Sequence, residues 1–418
     1  MTRPNILLLV IDCLRADYAH DRSLSHTPTL GTIIGQGFSF RQAIAAANST
    51  TPSFAAMLTG LHPFANGVRT LHGVKLSPAV RTLPEMLAEV GYSTYAEVSG
   101  GPLLPETGLN RGFASYTHRL RQNRAEQLAT SLNHKINCEF RGPWFLMLHL
   151  WDLHVPRWIA PSCRERACGS SEYARSLSSI DAVLAPFLAA LPQDTILALT
   201  ADHGEDVATG PVDKLRRSLL RKALTSKLSW SLSKRGYIRN VSCLLRGRVD
   251  GHAYGLYDEL VRVPLIFHCP GRIPPGISDR QVRHVDVCPT ILELAGLPVP
   301  RGISGTSLAD AMRGEPGCHL DAYMEVGVYR HRMRIAALRV DNRYKLICGL
   351  PGERFDPELY DLQDDPGEHR NLAQERPELL QQLQARLSAL QAQTVEETPM
   401  TSQEDAIVKE RLRALGYM

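Results

Sequence analysis

Over the first two-thirds of the chain, unbroken apolar runs alternate with stretches whose apolar residues recur at helical spacing. The runs Asn5–Ile11, Thr94–Val98, Trp144–Leu150, Thr195–Thr200 and Pro264–His268 predict strands, since a strand covered on both faces is apolar throughout. Helical spacing covers Pro52–Thr59, Thr82–Val90, Arg124–Asn133 and Ser171–Ala190. This alternation predicts an α/β fold with a mostly parallel central sheet and helices on both faces. Ligands of such sheets bind beyond the carboxyl ends of the strands, and Asp12, Asp152 and Asp202 each fall just after an apolar run.

The rhythm changes after about residue 315. Tyr323–Tyr329, Arg334–Val340 and Tyr344–Cys348 read as short strands joined by turns, which predicts a small antiparallel sheet. A Gln- and Leu-rich helix follows over Pro377–Gln393, then a polar stretch, Thr394–Thr401, that reads as mobile, then a last helix over Glu404–Leu415. The expected division is a catalytic domain over 1–315, carrying a basic insertion at about 207–250, and a small α+β subdomain with C-terminal helices over 316–418.

A chain of 418 residues can bury a large core, and 44% hydrophobic with 22% charged residues is ordinary for a globular protein. A net charge of +4 does not call for nucleic acid. The Ile6–Ile11 run is cut short by Asp12, Arg15 and Asp17, with no cleavage-type small residues, and no run nears the roughly 18 apolar residues of a membrane span. The expected location is cytoplasmic. Cys13, Cys269, Cys288 and Cys348 lie in apolar surroundings and read as buried thiols, while Cys163 and Cys168 lack the second pair a zinc site would need. Residues 213–250 stand apart, with eleven Lys or Arg against two Asp. That segment is either a solvated helical insertion or a basic lid that attracts an anionic substrate or a membrane surface.

The chemistry-bearing residues sit at predicted element ends. Asn48–Gly60 places Ser49, Thr50 and Thr51 at a helix start, where orphan amides and the dipole favour developing negative charge. Asp12 is a natural ligand for a divalent cation, or else a helix cap. Asp202 and His203 are adjacent on a loop with Gly204, and an imidazole among carboxylates suits Zn²⁺ or Mn²⁺ better than Ca²⁺. His149-Leu150-Trp151-Asp152-Leu153-His154 adds His154, which could protonate a leaving group, and Asp152, which could orient it or bind an ion. His149 has the spacing of a strand residue and reads as a core histidine. His252 stands before Tyr257–Ile266.

Together these motifs resemble the sulfatase family of the alkaline phosphatase superfamily. The matching segments are Asn5–Asp17, Thr50–Val68, Asp152–Pro156, Leu199–Glu205, His252–Ile266 and Asp286–Gly296. Glu358–Leu362, Asp365-Pro366, Glu368, Asn371-Leu372 and Arg411–Tyr417 extend the match toward the end of the chain. The resemblance implies a three-layer αβα sandwich of the alkaline phosphatase type. It implies that Asp12, Asp202 and His203 bind a metal ion, that Thr50 is the nucleophile and also touches the ion, and that His154 and His252 contact the transferring or leaving group. Asp152 matches a less constant position.

Four departures bear on the chemistry. Thr50 stands where sulfatases place a Cys or Ser that becomes formylglycine, and Phe54 stands where they place Arg. Cys13 replaces an Asp, and His203 replaces an Asn. Threonine cannot yield that aldehyde, because its Cβ carries a methyl group, so no formylglycine is expected. The pattern resembles phosphoryl-transfer branches in which Thr attacks directly. The expected activity is metal-dependent cleavage of phosphate or phosphonate esters, with sulfate esters ranked lower, through a covalent Thr50 intermediate. Zn²⁺ or Mn²⁺ is the expected cofactor, with Mg²⁺ or Ca²⁺ as further options, and a second ion at Asp152, His154 and His252 would favour monoesters. The substrate would be an anionic ester of a small molecule, glycan or lipid headgroup. The alternatives are a phosphoethanolamine-transferase-like enzyme passing the group to an acceptor alcohol, and an inactive binding protein.

Overall fold

The computed structural model describes residues 3–119, 125–207, 252, 255–317, 320–327 and 334–417. The basic segment 213–250 lies outside the described residues. The strands described are, in chain order, β1 (Ile6–Ile11), β2 (Phe38–Ile44), β3 (Val74–Lys75), β4 (Ser93–Val98), β5 (Ser115–His118), β6 (Trp144–Leu150), β7 (Ile196–Thr200), β8 (Arg262–His268), β9 (Gly276–Arg283), β10 (Ala322–Gly327), β11 (Arg334–Val340), β12 (Tyr344–Gly349), β13 (Glu358–Asp361) and β14 (Thr398–Pro399).

The main sheet has the order β5-β4-β6-β1-β7-β8-β2-β9. β8 alone runs against its neighbours β7 and β2, and the other pairs are parallel. β1, β6 and β7 lie side by side at the centre, and every residue in them is buried, as their continuous apolar runs predict. Helices Pro28–Gln36, Ala125–Cys138 and Glu172–Ala189 pack together, and helices Thr50–Thr59 and Val287–Leu294 form another group. The result is the three-layer α/β sandwich expected from the alternation.

All five predicted strands form, with ends displaced by at most two residues. The main-sheet strands absent from the expectation, β2, β5 and β9, lie toward the sheet edges and carry polar residues. In β9 only the last three residues are buried, so periodicity there carries little signal. Apolar runs also cannot report strand direction, and the inversion of β8 comes from its place between β7 and β2.

The second sheet, β10-β11-β12-β13, is antiparallel throughout. Its two faces are used differently. Ile335 and Ala337 join the main core, while Ala336, Leu338 and Val340 pack with Phe64, Leu383 and Leu387 under helix Pro377–Gln391. The stretch Thr394–Thr401 is tied down rather than mobile. Val395 N–H donates to Phe64 O (2.9 Å), β14 pairs with β3, and Met400 N–H donates to Gly73 O (3.0 Å). Its polar composition conceals backbone pairing that brings the last helix, Ser402–Ala414, against the main body. No helix among the described residues is long and apolar enough to cross a membrane.

Candidate active site

Sheet register assembles the centre. Val10 of β1 stands opposite His149 of β6 on one side and Thr200 of β7 on the other. Asp12 and Asp202 therefore leave the sheet side by side, two residues beyond that level. Asp12 Oδ2 lies 3.1 Å from His149 Nε2, and ligand atoms of Asp12, His149 and Asp202 lie within 4.8 Å of one another. All three residues are fully buried. His149 is thus part of the centre rather than a core histidine. The signal for it was one polar residue near the carboxyl end of an otherwise apolar strand.

Cys13 turns the chain sharply at the same place. Its φ of 62° is left-handed, which a non-glycine residue adopts only when its surroundings hold it there. Here Cys13 N–H donates to Asp202 Oδ1 (3.2 Å) and the thiol donates to Asp12 Oδ1 (2.8 Å). Sγ, together with nitrogens of His203 and His252, makes a second group of ligand atoms within 4.8 Å of one another.

The nucleophile candidate lies on the neighbouring helix. That helix begins at Thr50, two residues earlier than its Pro suggests, with Ser49 as N-cap and Pro52 still in the first turn. It ends at Gly60, whose φ of 68° closes the last turn through Gly60 N–H to Ala56 O (3.0 Å). Thr50 is buried, and its Oγ1 donates to Asp12 Oδ2 at 3.5 Å. One turn on, Phe54 sets its ring edge-on to His149, with centroids 5.2 Å apart. The position where the family carries Arg is therefore filled by a fully buried aromatic ring.

The leaving-group candidates converge from opposite directions. Trp151 stacks on His154, with centroids 4.0 Å apart. The His252 ring lies 5.4 Å from that of His154 and 4.0 Å from that of His203. Asn48 Nδ2 donates to His252 O (2.5 Å) and Gly255 O (2.6 Å), tying the His252 loop to the residue two before the nucleophile. Burial first, then the charge of His252, lowers the His154 pKa to about 3. Burial first, then His203, holds His252 well below the usual imidazole range.

Asp152 does not join either cluster. Its Oδ1 accepts Ala125 N–H (3.0 Å) at the start of helix Ala125–Cys138. The expected ion ligand is a helix-terminus acceptor, a role favoured by the orphan amides there. Two residues that sequence reasoning passed over do reach the centre. Tyr417 sets its hydroxyl 2.7 Å from His154 Nε2 and 3.1 Å from His252 Nε2. The side chain of Arg157 is 5% exposed, with Nη2 3.8 Å from Glu205 Oε2 and the guanidinium over the Tyr173 ring, and its Nε and Nη2 lack hydrogen-bond partners.

The donors fit a divalent cation. Asp202 Oδ2 and His203 Nε2 are buried, 3.4 Å apart, and neither has a hydrogen-bond partner. Unsatisfied buried acceptors of this kind are costly unless a cation completes them. His203 Nδ1 donates to Gly204 O (2.9 Å), which leaves its Nε2 lone pair pointing inward. Burial, reinforced by the charge of Asp202, raises the Asp12 carboxyl well above its usual range. Burial works the same way on Asp202, but His203 and His149 outweigh it and bring its pKa down. Two buried carboxylates this close cannot both stay charged without positive charge between them.

Comparison with known proteins agrees with the geometry. The Sulfatase family matches residues 4–297, and the N-sulphoglucosamine sulphohydrolase C-terminal family matches 253–393. Human arylsulfatase A is 25% identical over an alignment spanning 93% of this chain and 88% of that protein. A protein solved in complex with its substrate D-glucosamine-2-N,6-O-disulfate superposes with a TM-score of 0.72 at 18% identity, covering 94% of this chain and 98% of that one. The phosphonate monoester hydrolase of Agrobacterium radiobacter superposes at 0.69 with 17% identity, covering 94% and 96%. The chain belongs to the sulfatase family, on the alkaline phosphatase-like fold, and is an ester hydrolase.

Proposed function

We propose that this hydrolase cleaves phosphate or phosphonate esters through a covalent Thr50 intermediate. The observation that carries the reading is Thr50 itself, a buried hydroxyl in the first turn of a helix, 3.5 Å from Asp12 Oδ2. Asp12, Asp202 and His203 would hold a divalent cation, with Cys13 and His149 beside them. The thiol and imidazoles favour Zn²⁺ or Mn²⁺ over Ca²⁺. Such an ion, when bound, supplies Lewis-acid charge that makes a threonine hydroxyl competent near neutral pH.

The chain's own residues do the rest. Asp12 accepts the hydrogen bond of the Thr50 hydroxyl and orients Oγ1. The Oγ1–phosphorus bond forms as the bond from phosphorus to the leaving oxygen breaks. The proton that Thr50 gives up passes through Asp12 and the His154–His252 pair to the leaving oxygen. Water then attacks phosphorus, the Thr50–phosphorus bond breaks, and Thr50 takes up one proton of that water. The guanidinium of Arg157 offers unpaired N–H donors for an anionic substituent of the substrate.

Sulfate esters are the second reading, favoured by the family match. The cytoplasmic location also stays part of the proposal, supported by seven unbridged cysteines among the described residues. One experiment tests the chemistry: metal analysis and turnover of phosphodiester, phosphonate and sulfate esters by wild type and Thr50→Ala, with mass spectrometry of the quenched enzyme. A phosphoryl adduct on the Thr50 peptide supports the reading, and turnover that needs an added alcohol converts it to group transfer. Unimpaired turnover by Thr50→Ala overturns it.

A further inference from the structure

The closing segment Arg411–Tyr417 is built to deliver one hydroxyl. Helix Ser402–Ala414 starts with a reciprocal cap between Thr401 and Glu404 and is clamped by Lys75 to Glu404 (2.7 Å) and Arg411 Nε to Gly101 O (3.2 Å). It ends in a Schellman motif. Gly416 has φ 80° and donates to Arg413 O (3.0 Å), and Tyr417 N–H reaches back to Leu412 O (2.9 Å). The apolar contact that accompanies this motif is present, because Tyr417 packs against the cluster of Leu71, Leu104, Val408 and Leu412. The left-handed glycine turns the chain back over the helix end and aims the phenol at the two histidines.

Proton bookkeeping at that hydroxyl is restrictive. His154 Nδ1 faces Val155 O at 2.8 Å, and a carbonyl can only accept, so Nδ1 carries the proton and Nε2 is a lone pair. The Tyr417 hydroxyl therefore donates to His154 Nε2. Having spent its one proton, its oxygen accepts from His252 Nε2–H. That choice leaves His252 Nδ1 as a lone pair, 3.9 Å from Cys13 Sγ and 3.7 Å from Glu205 Oε1, a carboxylate that favours the opposite tautomer, so the phenol contact is what holds the proton on Nε2.

We propose that Tyr417 is a positioning residue of the active centre: its hydroxyl, whose donor direction is set by the Val155-fixed tautomer of His154, places the His252 proton on Nε2 and holds both rings in fixed rotation. The inference rests on the reading that these two imidazoles serve the leaving-group side. Outer-shell partners that fix the tautomer of metal-ligating histidines typically matter by about 10- to 100-fold, and an effect of that order is expected here. A tyrosine 263 residues from His154 in sequence thereby becomes part of the centre.

The test compares wild type with Tyr417→Phe, which keeps the packed ring, and with Gly416→Ala, which keeps the hydroxyl and disfavours the turn that aims it. Nitrogen-15 imidazole NMR should show His154 protonated at Nδ1 and His252 at Nε2 in wild type, and a mixed His252 signal in both variants. For whichever ester class wild type turns over, kcat/KM should fall about 10- to 100-fold with alkyl leaving groups and less than about 3-fold with nitrophenyl ones. A purely structural role would lower both equally. Unchanged tautomers in Tyr417→Phe overturn the inference, as does a uniform rise in kcat/KM, which would mark the tail as an obstruction. The tautomer measurement needs no turnover. Failure of the Thr50 reading would therefore appear as active Thr50→Ala with the wild-type histidine pattern intact.

Discussion

Two of the buried charge clusters among the described residues are completed in different ways. In the first, Asp258, Lys345, Glu368 and Arg339 join the second sheet to the short helix Asp258–Val261 before β8. Lys345 Nζ lies 2.9 Å from Asp258 and 2.8 Å from Glu368, and Arg339 adds a 3.0 Å contact to Asp258. Asp258 N–H also donates to Glu368 Oε2 (2.7 Å). Each carboxylate there meets protein cations. In the second, Asp12 and Asp202 meet imidazoles, a thiol, a hydroxyl and backbone amides among the described residues, and Asp202 Oδ2 and His203 Nε2 lack hydrogen-bond partners there. The first is an ionic joint that the protein closes by itself. The second has donors enough for a divalent ion and, among the described residues, no Lys or Arg against its two carboxylates. Burial and acidity are common to both clusters; what makes the second the candidate site is the shortfall of counter-charge among the described residues.

The sharpest break between the two is catalytic. Thr50→Ala should lower kcat by about 1,000-fold or more while bound metal, measured by elemental analysis, stays near wild type. Comparable activity would leave the second cluster with no nucleophile. Stability should divide them next. Asp258→Ala strands Lys345 and Arg339 and should cost about 3–5 kcal/mol in denaturant unfolding. In chelator-treated protein, Asp12→Asn should instead raise the melting temperature, because it removes one of two competing buried carboxylates. A loss of the same size at both positions would erase the distinction. Arg157→Ala should raise KM about 10-fold for a substrate with a second anionic group, with a smaller change in kcat, consistent with one lost charged hydrogen bond.

The smallest effect is a pH slope in the ionic joint. Burial pushes the Glu368 carboxyl up to about 7 from 4.5, against the pull of Lys345. Asp258 is buried too, but Arg339 and Lys345 outweigh the burial and hold it well below the usual range. The two acids share Lys345, while Arg339 reaches only Asp258, so Glu368 bears the deficit. Folded protein then binds more protons than unfolded protein between pH about 4.5 and about 7, and this group's contribution to stability falls as pH rises through that window. Glu368→Gln should gain in melting temperature relative to wild type across the same window. A constant difference between the two would place the titration elsewhere.

The helix start left Ser49, Thr50 and Thr51 open and the family resemblance singled out Thr50, while Asp12, Asp202 and His203 were legible as candidates because each lies at the end of an apolar strand run. The central strands and most helices were readable for the same reason. The roles of His149, Asp152 and Tyr417 were not. His149 enters the centre only because parallel register sets β6 beside β1, and periodicity does not encode register between strands far apart in sequence. Asp152 has the same sequence context as Asp12, yet helix Ala125–Cys138 begins against it and uses its carboxylate. The glycine turn before Tyr417 is visible in the sequence, but its target is not, since the pairing of β14 with β3 and the clamp at Lys75 decide where the last helix lies. Local chemistry thus chose which residues could react, and long-range packing chose which of them meet, because a side chain's neighbours across a sheet come from the whole chain while its propensities come from a few residues on either side.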